Sequence, residues 1–255
     1  MKAPTEKIDV RFYSEGKASR ISEPVIREES VDLFLNNRKI TTIACTGIHL
    51  EELAAGFLRW AGVISVREEI ERITLSAEKS RVDVLTTNEV LSEPGSPEIF
   101  VTSAGTGTQK FRGLESSIIS DISIPATKVS EYMSFVLSAS NLHTVTHGTH
   151  CSALADIRDI IISRDDIGRH NTIDMLSGYT LLNGIDCSDK MIIKTGRVSS
   201  EIAEKVWIMG VPIVISHSVP TSEAIHISKN AGITLIGHIR NGSFKVYSHE
   251  RRVQF

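Results

Sequence analysis

Four short segments of this chain concentrate residues that can bind anions or move protons. They are Asp165-Asp166-Ile167-Gly168-Arg169-His170-Asn171, Thr195-Gly196-Arg197, His217-Ser218-Val219-Pro220-Thr221-Ser222 and His238-Ile239-Arg240-Asn241-Gly242. Arginine offers a planar fork of donors, and a helix start offers unpaired N–H groups under a partial positive charge. A cation such as Arg169 at a helix start runs against the helix dipole, so its position calls for an anionic partner. Singly, each segment reads as a tight turn with Ser or Thr caps. Jointly, their three arginines, three histidines and several hydroxyls point to a polyanionic ligand carrying phosphate.

Joint action requires the segments to meet. Short apolar runs at 160–163, 191–194, 212–216 and 233–237 read as strands. Helical periodicity at 171–182, 199–209 and 221–230 separates them, each helix stopping at Asn183-Gly184, Gly210 or Gly232. Strands alternating with helices of this length form parallel βαβ units, whose ligands bind beyond the carboxyl ends of the strands. All four segments fall at that edge, whereas the opposite edge has only plain helix stops. Asn241-Gly242 turns the chain into a last strand at 244–248.

Upstream, 152–156 is expected to pair with 160–163, and 127–140 forms a helix. Hairpins are expected at 31–35 with 39–46, around Asn36-Asn37-Arg38, and at 72–76 with 81–86. A helix at 49–61 lies between them, with Leu50, Leu53, Ala54, Phe57 and Leu58 on one face. A strand at 98–102 leads into a flexible loop at 103–108. The expected organisation is a partly ordered segment over 1–26, a β-rich lobe over 27–125 and an α/β lobe over 126–255.

Composition narrows the function classes. A chain of 255 residues, 41% hydrophobic, can bury a substantial core. Its net charge of −3 and pI near 6.3 give no basic footprint for nucleic acid or a membrane surface. No stretch is long and apolar enough to span a bilayer, and the start MKAPTEKIDVRF lacks the apolar centre of a signal peptide. Cys45, Cys151 and Cys187 are odd in number and scattered, so no disulfide framework is expected and a cytoplasmic location is. His143, His147, His150 and Cys151 cluster without a zinc-ligand spacing, so no metal site is assigned. His49-Leu50-Glu51 mimics the HxE of zinc deaminases, but no PCxxC accompanies it. Gly105-Thr106-Gly107 lacks the Gly-Lys-Ser/Thr of a P-loop.

Several segments resemble the FdhD family of formate dehydrogenase accessory proteins, which are described as sulfur carriers. They are Asp166-Ile-Gly-Arg-His-Asn-Thr-Ile-Asp174, Thr195-Gly-Arg-Val-Ser-Ser-Glu201, Val219-Pro-Thr-Ser222, the Gly237-to-Tyr247 ending and Thr146-His-Gly-Thr-His-Cys-Ser-Ala-Leu154. In the amino-terminal half, Glu23-Pro24-Val25 and Glu51-Glu52-Leu53-Ala54-x-Gly56-Phe57-Leu58 match as well. The resemblance implies a cytidine deaminase-like α/β fold: three α/β/α layers on a mixed, largely parallel sheet, plus the smaller β-rich lobe. It also implies the role of taking sulfur from a cysteine desulfurase and passing it to the molybdenum bis(guanine dinucleotide) cofactor. That cofactor then enters the catalytic subunit of formate dehydrogenase. No zinc is expected, GDP and GMP would mimic the ligand, and a homodimer is the expected assembly.

On this resemblance the cofactor-binding residues are Asp166, Gly168, Arg169, His170, Asn171, Gly196, Arg197, Thr221 and Ser222, with His238, Ile239, Arg240, Asn241, Gly242 and Ser243 from the family's carboxyl-terminal stretch. Arg240 agrees with the family's Phe-Ala-Arg-Gly, while His238 and Asn241 depart from it. The family's Cys-x-x-Cys falls on Ala104 and Gly107, neither of which can form a persulfide. Two readings follow. Either another thiol carries sulfur, with Cys151 the one candidate near the matching motifs, or the chain binds the cofactor as a chaperone without relaying sulfur.

Overall fold

A computed structural model describes residues 3–87 and 116–255. Ala104 and Gly107, and the strand and loop expected at 98–108, lie outside the described residues. The chain opens with a hairpin of β1 (Thr5–Ser14) and β2 (Lys17–Ile26) where the sequence suggested partial order. Then come β3 (Glu29–Leu35), β4 (Arg38–Cys45), α1 (Leu50–Trp60), β5 (Ile70–Leu75) and β6 (Arg81–Thr86). Both expected hairpins form, and β3 pairs with β6 in parallel to join them into one sheet ordered β4-β3-β6-β5. Asn36 and Asn37 take the left-handed conformation that a tight hairpin turn needs.

The second lobe contains β7 (Ile124–Pro125), α2 (Ala126–Ala139), α3 (Asn141–Thr146), β8 (His150–Ala155), β9 (Ile160–Asp166) and α4 (Arg169–Leu182). It continues through β10 (Met191–Lys194), α5 (Ser200–Met209), β11 (Ile213–Ser216), α6 (Ser222–Ala231), β12 (Thr234–Arg240), β13 (Ser243–Ser248) and β14 (Val253–Gln254). Six strands form a mixed sheet in the order β13-β12-β11-β10-β8-β9. Only the β10–β11 and β11–β12 pairs are parallel, two of the five, so adjacent pairing is less parallel than expected. The reason lies in the β8–β9 and β12–β13 hairpins, which add antiparallel neighbours. Nevertheless β9, β10, β11 and β12 all point the same way, because β8 runs against both β9 and β10.

Alternation along the strands sorts side chains to two faces. Ile192, Val214 and Leu235 pack with α4, α5 and α6, while Met191, Ile193, Ile213, Ile215 and Ile236 pack with α2. Residues 116–125 lie against this lobe rather than the first, through Ile118 N–H to the Ala231 carbonyl, Trp207 Nε1 to Ser116 and the parallel β7–β14 pair.

The lobes meet where α1 crosses α4. A Cβ on Gly56 would stand 1.8 Å from the Asp174 carbonyl oxygen, and one on Gly178 would stand 1.8 Å from that of Glu52. Two glycines thus let the helix backbones touch. Arg164 seals the seam by donating Nε and Nη2 to the two oxygens of Glu52, each at 2.6 Å.

Candidate functional site

The carboxyl ends of β9 to β12 bring together the loops singled out by sequence. At the end of β9, Asp166 is fully buried and accepts four bonds: from Thr46 N–H and Oγ1 at 2.8 Å each, Gly168 N–H at 2.8 Å and Asn171 Nδ2 at 2.7 Å. Burial raises its pKa and these donors oppose the rise. Asn171 Nδ2 also donates to the Ala44 carbonyl at 2.8 Å. A Cβ on Gly168 would lie 2.8 Å from Asn171 Nδ2, so only glycine lets that amide tuck in. Asp166, Gly168 and Asn171 therefore fasten the end of β4 to the start of α4, and their polar atoms turn inward.

Arg169 and His170 open α4. Arg169 is partly buried, and both burial and the neighbouring Arg197 lower its pKa against the pull of Glu201. Two guanidinium groups thus share one loop edge. His170 is buried, its Nε2 lying 3.3 Å from Ser199 Oγ and 3.8 Å from Glu201, while Nδ1 is buried without a hydrogen-bond partner. Burial first, then Lys205, Arg169 and Lys194, push its pKa down to about 2, so the ring is neutral. Behind it, the buried Asp174 accepts from Lys205 at 2.6 Å, and Lys205 also lies 3.3 Å from Glu201 and over the Trp60 ring.

After β10 the chain turns sharply through Gly196, at φ +72°. A Cβ there would meet the His150 ring at 3.0 Å. Arg197 is exposed, and Ser199 caps α5 by accepting from Ile202 N–H. After β11, Thr221 caps α6 through Ala224 N–H, and both Thr221 and Ser222 are exposed. Towards the end of β12, His238 takes φ +57° and donates its N–H to the Ser218 carbonyl. Arg240 reaches back, donating Nη1 to His217 Nε2 at 2.7 Å and to the His217 carbonyl at 2.9 Å. Asn241, Gly242 and Ser243 form the exposed β12–β13 turn, while Ile239 is buried in the core.

A cleft of about 390 Å³ opens at this edge, lined by His143, His147, His150, Thr195, Gly196 and His217. His143 Nδ1 is tied to the Thr149 carbonyl at 2.6 Å and packs edge-on to His147. Among the described residues no group of three or more His, Cys, Asp or Glu stands ready to hold a metal. Burial, then Lys194 and Arg169, lower His150 to about 4.

The fully buried Lys194, at the end of an apolar strand, donates to the carbonyls of Thr195 and Gly196, two residues that line the cleft. A lysine closing an all-apolar strand was the available signal. His150 also belongs here because antiparallel β8 starts where β10 ends.

All three cysteines of the chain are buried and reduced. Burial raises the pKa of each, that of Cys45 to about 12, and Asp165 raises Cys151 further. Cys151 is 1% exposed, so it is neither a thiolate at neutral pH nor open to a partner protein. No helix among the described residues is long and apolar enough to cross a membrane.

Comparison with known proteins agrees with this architecture. The chain is 36% identical over 252 residues to the protein named sulfur carrier protein FdhD of Bacillus subtilis, covering 96% of each chain. It is 32% identical to the protein of that name from Staphylococcus haemolyticus, covering 95% of this chain and 94% of the relative. Its fold matches the crystal structure of a Desulfotalea psychrophila protein, described as a candidate formate dehydrogenase accessory protein. The TM-score is 0.82 at 24% identity, over 99% of this chain and 100% of that one. The profile of the FdhD/NarQ family matches residues 26–254, and with these relatives it establishes that the chain belongs to the FdhD/NarQ family.

Proposed function

We propose that this protein is an accessory factor of formate dehydrogenase that holds the molybdenum bis(guanine dinucleotide) cofactor as cargo. The cargo lies along the carboxyl edge of β9 to β12. The observation that carries this reading is that Arg169 and Arg197, close enough to repel, flank the Gly196 turn while Arg240 is bonded to His217, and that Gly196 and His217 both line one cleft. Such an arrangement is relieved by an anion, and the cargo's pyrophosphate groups supply one. Phosphate would meet Arg169, Arg197 and the Gly196 turn, and Arg240 would swing from His217 to meet it.

In this reading no sulfur is relayed through this chain. A relay needs an accessible thiolate, the three cysteines are buried, and the Cys-x-x-Cys positions hold Ala104 and Gly107. The protein then acts as a cofactor-binding chaperone for the catalytic subunit in the cytoplasm. Near-full-length likeness to proteins named sulfur carriers favours the second reading, in which sulfur from a cysteine desulfurase passes through Cys151 after local opening. We also read the second lobe as cytidine deaminase-like, supported by helices on both faces of a mixed sheet and by β8 running against both neighbours.

Calorimetry with GDP tests the site. Binding at micromolar to millimolar affinity is expected, and Arg169→Ala should lose roughly 1.5–3 kcal/mol, the worth of a charge-assisted bond. No binding to the wild type, or equal binding by the Ala variants of all three arginines, refutes it. Mass spectrometry after incubation with a cysteine desulfurase separates the two sulfur readings, because a persulfide on Cys151 would establish the relay.

A further inference from the structure

Lys194 is a fully buried ammonium whose three hydrogen-bond acceptors are all carbonyl oxygens. Its Nζ donates to Thr195 at 2.7 Å and to Gly196 and Arg197 at 3.2 Å each. Ser216 Oγ donates to the same Gly196 carbonyl at 2.8 Å. In a planar trans peptide the C=O and the following N–H point opposite ways. Carbonyls of Thr195 and Gly196 drawn inward therefore turn the N–H groups of Gly196 and Arg197 away from the ammonium. Thr195 and Gly196 line the cleft, with Arg197 exposed beside it. Successive N–H groups with one outward sense, at a turn through a left-handed glycine, form an anion-binding concavity.

We propose that Lys194 is a positioning residue: its ammonium gathers three carbonyls so that the Gly196 and Arg197 N–H groups cradle a phosphate of the bound nucleotide's pyrophosphate, which the diphosphate of GDP mimics. The proposal rests on the reading above that a phosphorylated nucleotide occupies this edge. It adds that the cradle exists only while Lys194 is protonated, because a neutral amine cannot hold three carbonyls against their mutual repulsion.

That condition falls in an accessible pH range. Burial, then Arg169, bring Lys194 down to about 7. The groups around it are Arg169 and His170 from α4, His150 and Cys151 from β8, and His217 after β11. His150 and His170 lie near 4 and 2, His217 is lowered by burial and Arg240, and the Cys151 thiol is raised. Arg169, though lowered, remains charged. Between pH 7 and 9 Lys194 is thus the group here that changes charge. The terminal phosphate of the GDP probe, whose second ionisation lies at about 6, is already dianionic over that range.

The experiment is calorimetry with GDP at pH 7, 8 and 9 on the wild type, Lys194→Met and Lys194→Arg. Wild-type affinity should fall roughly fivefold to fiftyfold from pH 7 to 9, for a bound-state pKa one or more units higher. Lys194→Met should bind more weakly at pH 7 with no such fall. Lys194→Arg should restore binding over Lys194→Met and stay flat, since its charge does not titrate. Should the variants fail to fold, the wild type alone suffices: titration in two buffers of different ionisation heat should show proton uptake at pH 7.5. Measurable wild-type binding with no pH slope or proton uptake, or a slope retained in Lys194→Met, overturns the role of Lys194 and leaves the nucleotide site standing. Absence of GDP binding at pH 7 overturns both.

Discussion

Replacing Gly178 with alanine should loosen the joint between the lobes more than any surface change of the same size. The added Cβ would stand 1.8 Å from the Glu52 carbonyl oxygen, whereas ordinary contact begins near 3.4 Å. The obstacle is helix backbone, which cannot rotate aside as a side chain would, so α1 and α4 must part by roughly 1.6 Å, the difference between those two separations. That movement stretches both Arg164–Glu52 bonds, now 2.6 Å, and opens the packing of Leu53, Phe57 and Met175. Overpacking against movable side chains costs about 1–3 kcal/mol. Here we expect about 3 kcal/mol or more. At about 2–4 °C per kcal/mol for a chain of this size, Tm should drop by about 6–12 °C. Scanning calorimetry of Gly178→Ala beside Gly184→Ala is the assay. Gly184 has open space around it and only a left-handed φ, so its variant should shift less. A Gly178→Ala protein melting within about 2 °C of the wild type would refute the backbone-contact reading of the seam.

Two further outcomes are expected. His150 and His170 both have folded pKa values depressed below their unfolded value of 6.5, so the stability they contribute is present above pH 6.5 and is lost as pH falls towards 4. Each costs up to about 1.4 kcal/mol per pH unit there. Tm should decline between pH 7 and 5, and His150→Gln should flatten part of the decline, so an identical slope in that variant would contradict the assignment. The three thiols should resist iodoacetamide in the native protein and all react in guanidinium. Prompt native labelling of Cys151, read by peptide mass, would reopen its candidacy as a sulfur carrier.

Legibility in the sequence followed locality. From 160 to 237 every strand and helix was readable, because Gly184, Gly210 and Gly232 stop helices and Ser199 and Thr221 cap them within a few residues. The parallel β3–β6 pair was not, since it joins Leu33 to Val82 across a helix and leaves no local periodicity. The β1–β2 hairpin was hidden by its charged residues and by Pro24, and most of its side chains remain exposed. In the site, Arg169, Arg197 and Arg240 were read from type and position alone. Asp166 and Asn171 look the same in sequence as ligand-binding residues, yet they spend their polar atoms on Thr46 and Ala44, partners more than 100 residues away. Lys194 escaped because what matters is where its ammonium ends, and a strand pattern carries no such information.

The buried Asp166 also imposes a timetable on synthesis. Thr46 leaves the ribosome 120 residues ahead of the carboxylate it must bind. At about 5–20 residues per second this is a wait of roughly 6–24 s. Throughout it, α1 lacks its helical partner, and the face that will carry α4 stays uncovered. Interrupted translation before α4 leaves a fragment with neither the seam nor the Arg169 loop.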